Sequence, residues 1–98
     1  MARALAAAVL SQAWKDATQP PFLGTRVVYQ DRAWRELKVI NVTTEQAVDF
    51  LTKPSDVLRF WADVAGTPES AIRQLACKRL QHTRGLLAMA RREGAMGA

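Results

Sequence analysis

Apolar residues recur at helical spacing near the start of the chain, where Leu5, Val9, Ala13 and Trp14 share one face and Lys15 and Asp16 fall outside it. The alanine-rich stretch from 3 to 17 has the intrinsic propensity to match, and a helix is predicted there. Gln19, Pro20, Pro21 and Gly24 then end it, because proline cannot continue a helix and glycine loosens the backbone. Residues 25 to 42 give two patterns. Arg26-Val27-Val28-Tyr29 and Leu37-Lys38-Val39-Ile40-Asn41-Val42 suit short strands, whereas Asp31 to Glu36 tolerates a helix with extended flanks. A small hairpin near 26–42 is one reading; the pattern tips slightly towards the helix.

Further along, Thr43 followed by Gln46 has the form of a capping box and leads into Ala47, Val48, Phe50 and Leu51, a short amphipathic helix closed by Lys53-Pro54-Ser55. Ser55 can cap a helix from Asp56 to Ala65 whose apolar stripe is Val57, Leu58, Trp61, Val64 and Ala65. Gly66 suits a left-handed stop, Thr67 a cap, and Pro68 the first position of the next helix. That helix is expected to run to Thr83 with Ile72, Leu75, Ala76 and Leu80 inside. Gly85 is a candidate interruption, and Leu86 to Arg92 allows one or two more turns. The expected fold is therefore mostly α, a single compact domain of four to five short helices over residues 1–92. A flexible tail is expected at 93–98.

The composition supports that reading: 98 residues with 49% apolar content give one modest core. The only cysteine is Cys77, which excludes an internal disulfide and any multi-cysteine zinc site and points to a reducing, cytoplasmic setting. The apolar run before Ser11 is far shorter than the roughly 18 residues a membrane span needs, so no membrane role is expected. Net charge is +5, and its placement is uneven. The last third holds Arg73, Lys78, Arg79, Arg84, Arg91 and Arg92 against Glu69 and Glu93 alone. Such asymmetry suits an anionic partner, above all a nucleic acid.

One spacing sharpens that expectation. A helix-turn-helix needs a small residue where its helices approach, a turn residue four positions later that accepts positive φ, and an aliphatic anchor six beyond that. Ala62, Gly66 and Ile72 meet it. Over Leu58 to Arg73, about a fifth of the chain, the sequence resembles the helix-turn-helix DNA-binding proteins. It departs from them at Thr67, where an aliphatic residue is usual, and at Glu69, a negative charge where phosphates would lie. The alanine-rich first helix and the stretch Phe60 to Ser70 also loosely resemble small phage or prophage-type bacterial proteins. The first resemblance implies a small DNA-binding regulator whose outward positions on the second helix are Ser70, Arg73, Gln74 and Cys77. Arg73 would bind guanine and Gln74 adenine, while Lys78, Arg79 and Arg84 neutralise phosphates. Double-stranded DNA is the expected partner, with a homodimer or a protein partner to enlarge the small interface. The alternative is a protein interaction adaptor or inhibitor that docks its basic helix on an acidic protein.

Catalysis finds no comparable support. No phosphate-binding glycine loop, metal-ligand set or nucleophile–base pair is present, so neither an enzyme nor a cofactor or metal is expected. His82 stands alone and reads as a surface residue. Glu45 and Asp49, four apart, read as solvated carboxylates. Trp14 and Trp61 sit on apolar stripes and read as core, while Trp34, among Arg32, Arg35 and Glu36, is expected to be exposed.

Overall fold

The computed structural model describes residues 2–97. Five helices and three strands follow one another as α1 (Ala2–Ala17), β1 (Phe22–Gln30), β2 (Ala33–Ile40), α2 (Val42–Thr52), α3 (Asp56–Ala65), α4 (Glu69–Arg79), α5 (Gln81–Arg92) and β3 (Met96–Gly97). The helices build the body. Val48 and Leu51 of α2, Leu58 and Ala62 of α3, Ile72 and Ala76 of α4, Leu80, and Leu87 and Ala90 of α5 close one core, to which α1 contributes Ala17 and β2 contributes Ile40. Leu10, Ala13 and Trp14 pack on that core from α1, whereas Leu5 stays exposed; the buried stripe of α1 is rotated from the expected one.

Within residues 25–42 the chain forms an antiparallel hairpin of β1 and β2 as far as Ile40, which corrects the leaning towards a helix, while Val42, expected at the end of the second strand, is the first residue of α2. Thr25, Val27, Val28, Tyr29 and Trp34 are β-branched or aromatic, and the register sets Tyr29 opposite Trp34 and Val28 opposite Arg35. The helix-tolerant stretch is split by a two-residue turn in which Asp31 and Arg32 have φ of 52° and 66°. Positive φ at both central positions is the mark of a type I′ turn, which matches the twist of the flanking strands. Aspartate tolerates that conformation, while Arg32 occupies a place where glycine is usual. At the base, Asn41 N–H donates to the Pro21 carbonyl (2.8 Å), and Asn41 Nδ2 and Thr44 Oγ1 both donate to the Pro20 carbonyl (3.2 and 3.3 Å). These bonds tie the loop after α1 to the start of α2. The hairpin thus leaves the body and returns at one point.

Helix ends follow local chemistry with some exceptions. Ser55 Oγ accepts from Leu58 N–H (3.1 Å) as the N-cap of α3. Gly66 closes α3 at φ +78°, with Gly66 N–H on the Asp63 carbonyl and Thr67 N–H on the Ala62 carbonyl, a Schellman closure. Alanine at this position would take on a disfavoured φ and bring its Cβ to 3.1 Å from Arg3 Nη2. Gly66→Ala is expected to cost about 1–2 kcal/mol, read as a lowered thermal midpoint; an unchanged midpoint would mean that the turn does not hold positive φ.

The other caps differ from expectation. Asn41, not Thr43, caps α2, its side chain accepting from Thr44 N–H (3.4 Å). Pro68 precedes α4 with no side-chain cap from Thr67, since the chain enters the helix one residue later than expected. The helix expected to reach Thr83 stops at Arg79, and the non-helical ψ of Leu80 (13°) turns the chain into α5. Nothing in the local sequence breaks a helix here; the bend lets Leu80, Leu87 and Ala90 all reach the core. Gly85 lies inside α5 without interrupting it. Val57 and Leu75, expected inside, are exposed. The end of the chain folds back: Ala95 N–H donates to the Ala90 carbonyl, Ala95 packs against the core, and β3 pairs in parallel with Val39 and Ile40. The tail from Glu93 to Gly97 therefore has a place in the fold, and Ala98 lies outside the described residues.

Candidate nucleic-acid interface

The expected interface is the outer side of α4 and its continuation in α5. Three residues, Gly66, Thr67 and Pro68, join α3 to α4. Ile72 and Ala76 point into the core, which turns the opposite positions of α4 to solvent. Ser70, Gln74 and Lys78 form one exposed row at four-residue spacing, and Ala71, Leu75 and Arg79 form the next. Beyond the bend, Gln81, His82 and Arg84 are exposed as well. Among the described residues, Lys78, Arg79, Arg84 and Arg92 pair with no carboxylate, so their charge is open to solvent.

Two of the seven candidate residues are placed differently. Cys77 is half-buried, with its Sγ 3.8 Å from the Thr52 carbonyl, and so turns towards α2 rather than outwards. Arg73 is half-buried beside Glu69, its Nε 3.3 Å from Glu69 Oε1. The other oxygen of that carboxylate meets Arg59 Nε at 3.4 Å, which links α3 to α4 across the turn. Glu69 and Arg73 are one helical turn apart, so their pairing was open to sequence reasoning, whereas the third member, Arg59, depends on how the helices meet. Glu69 thus has a structural use that explains a negative charge at the start of this helix, where it also suits the helix dipole.

A second ion cluster was read in the sequence as two solvated carboxylates. Arg91 reaches from α5 to α2, donating from Nε (2.8 Å) and Nη2 (2.6 Å) to Glu45 Oε2, with Asp49 Oδ2 at 3.6 Å from Nη2. The hydrogen bonds to Glu45 raise the Arg91 pKa above its ordinary value, and the charges of Glu45 and Asp49 act in the same direction against desolvation. A raised pKa means that this contribution is fully present below the unfolded-state value and is lost only as pH climbs through the still higher folded one. The pairing therefore stays constant through the neutral range. It removes Arg91 from the basic face.

Elsewhere the surface offers little chemistry. An open groove of about 440 Å³ between α1, α2 and α3 is walled by Val9, Ala13, Ala47, Phe50 and Trp61, with Asp16 as its one charged group. Among the described residues no group of three or more His, Cys, Asp or Glu side chains gathers as a metal site would require, and no helix is long and apolar enough to cross a membrane. The feature that sequence reasoning most undervalued is the hairpin, exposed from Leu23 to Glu36 except for a half-buried Val28. Tyr29 and Trp34 lie against each other near its tip, centroids 5.2 Å apart, and Trp34 is 73% exposed as expected. No protein-family profile matches the chain, and no curated protein or solved structure matches it either.

Proposed function

We propose that this chain is a small regulatory protein of helix-turn-helix type that binds double-stranded DNA through the outer side of α4 and the start of α5. The observation that carries this reading is the run of unpaired cations, Lys78, Arg79 and Arg84, on a face that also presents the amide of Gln74 and the hydroxyl of Ser70. Cations with no carboxylate partner are free to replace the counterions of a phosphate backbone, and the gain from releasing those ions dominates affinity for duplex DNA. Gln74 is the exposed side chain best suited to reading a base edge. Arg73 acts as a support for Glu69 and Arg59, which moves the site one row along the helix from the position with the greatest reading power.

The test is fluorescence anisotropy of a mixed-sequence duplex across a salt series. Binding that weakens steeply with salt supports the reading, and a folded protein that fails to bind at low salt ends it. Glu69→Gln supplies a second check. It removes the negative charge nearest the face and loosens Arg59 and Arg73, so duplex binding is expected to tighten a few-fold, about 0.5–1 kcal/mol on the scale of single surface charges. Unchanged or weaker binding would mean that the start of α4 faces no phosphate.

A second reading, an adaptor that sets its basic helix on an acidic protein, draws on Leu75. This side chain lies between Arg79 and Ala71 and is 44% exposed, and an exposed apolar residue beside an arginine suits a protein interface, where arginine is enriched. The same titration separates the two, since an adaptor would show no retention of duplex.

A further inference from the structure

The hairpin poses a physical problem that the proposed DNA face does not solve. A two-stranded hairpin is marginally stable at best in water and needs a third strand or a packed face. Here both faces from Leu23 to Glu36 are wet except at Val28. The molecule measures 56 × 21 × 20 Å, with a radius of gyration of 16.0 Å against about 13 Å for a compact chain of this size. The strands form an arm with nothing to lean on.

The two long edges of the arm differ. Along β2, Arg35, Glu36 and Lys38 discourage pairing with another strand, and β3 covers the root at Val39 and Ile40. Along β1, the nine residues Phe22-Leu23-Gly24-Thr25-Arg26-Val27-Val28-Tyr29-Gln30 contain one charge, no proline and no lysine, and among the described residues no strand lies on the side away from β2. Such an edge is a template for strand addition unless something covers it.

We propose that a second copy of this chain covers it, β1 pairing antiparallel with β1 of the partner about a two-fold axis through Val27, to give one sheet continuous across both hairpins. The register follows from the turn. Gln30 and Ala33 flank the two-residue loop and pair with each other, so antiparallel alternation spends the backbone groups of Gln30, Val28 and Arg26 on β2. Those of Tyr29, Val27 and Thr25 then point to the free edge. A two-fold axis can pass through one of these three as a hydrogen-bonded pair, or through Arg26 or Val28 as a non-hydrogen-bonded one. Centred on Arg26, it sets that arginine opposite itself. Centred on Val28, it pairs only residues 26–30 of each β1, whereas a Val27 centre pairs residues 24–30. Centred on Tyr29, it sets Arg26 opposite Arg32, like charge against like. Centred on Thr25, it leaves Tyr29 without a partner. Centred on Val27, it sets Val27 against Val27, Thr25 against Tyr29 and Arg26 against Val28, with no charge facing its like. It also joins the Val27, Tyr29 and Trp34 stripes of the two copies on one face of the sheet, where these side chains are 59%, 61% and 73% exposed in the single chain. A self-complementary patch of this kind is what a two-fold interface requires. The proposal stands independently of DNA binding.

Sedimentation velocity of the full chain, from low to high micromolar concentration, is expected to show twice the chain mass. Val27→Lys places two ammonium groups face to face on the axis and should weaken the dimer about tenfold or more, with the helical circular dichroism retained. Register is read separately with single cysteines in a Cys77→Ser background. V27C, opposite itself, should oxidise readily to a covalent dimer, whereas Y29C, opposite Thr25, should not. A monomer at every concentration overturns the proposal and leaves the edge to a strand from another protein. A dimer that survives Val27→Lys, or one that Y29C crosslinks as readily as V27C, places the contact elsewhere and overturns it equally. Duplex binding by the same samples is scored apart, so the loss of one result leaves the other standing.

Discussion

Leu58→Ala is expected to cost about 3–4 kcal/mol of folding stability, read as a fall in the guanidinium midpoint with little change in slope. Leu58 has no solvent exposure and is among the largest fully buried side chains of the molecule. Its place is fixed from both directions: its N–H is held by the Ser55 cap, and its side chain lies in the core formed with Leu51, Ile72 and Leu87. Removing three carbons there loses their transfer free energy and leaves a cavity that a core drawn from all five helices has little freedom to fill. A chain of this length has about 5–15 kcal/mol of total stability, so the variant approaches unfolding. Val57→Ala, one residue earlier and 58% exposed, is the control and should fall within about 0.5 kcal/mol of wild type. Equal losses from the two would mean that α3 is rotated from the orientation described.

Adjacent residues with such different consequences show what was legible in the sequence. The helical period identified α3 and its cap, and Ser55, Gly66 and the tight turn to α4 all follow from local chemistry that no distant contact overrides. The period placed Val57 and Leu75 inside because both are apolar and near the stripe, but burial depends on which direction the neighbouring helices lie, and that direction is a tertiary fact. The bend at Leu80 is of the same kind: no glycine or proline marks it, and only the requirement that α5 reach the core explains it. Residues 25–42 were ambiguous for a different reason. Their strands pack on nothing along most of their length, so the alternation of buried and exposed residues that usually marks a strand is missing. Trp34 was correctly expected outside, yet an exposed tryptophan was itself the signal that the segment is an arm. On the candidate face, charge read from the sequence could not reveal which cations were already engaged; Arg91 and Arg73 were, through Glu45 and Glu69.

That partition gives the prediction with the largest effect on binding. Replacing Lys78, Arg79 and Arg84 together by alanine is expected to lower duplex affinity on the order of a hundredfold near 0.1 M salt and to flatten the logarithmic salt dependence by about 0.9 for each lost phosphate contact. All three are exposed and free of carboxylate partners among the described residues, so little stability should be lost, and the thermal midpoint serves as the check on folding. Arg73→Ala should behave in the opposite manner. Its Nε lies in ionic contact with Glu69 Oε1 at 3.3 Å, without a hydrogen bond between them, so its loss should disturb the carboxylate that also meets Arg59 of α3 and leave the salt slope nearly intact. Were Arg73 instead to swing out and read guanine, its removal would cost about 1–3 kcal/mol at one base pair and almost nothing on mixed sequence. A triple variant that binds as wild type does would show that the open charge of α4 and α5 meets no phosphate, and would shift the case towards an acidic protein seated on Leu75.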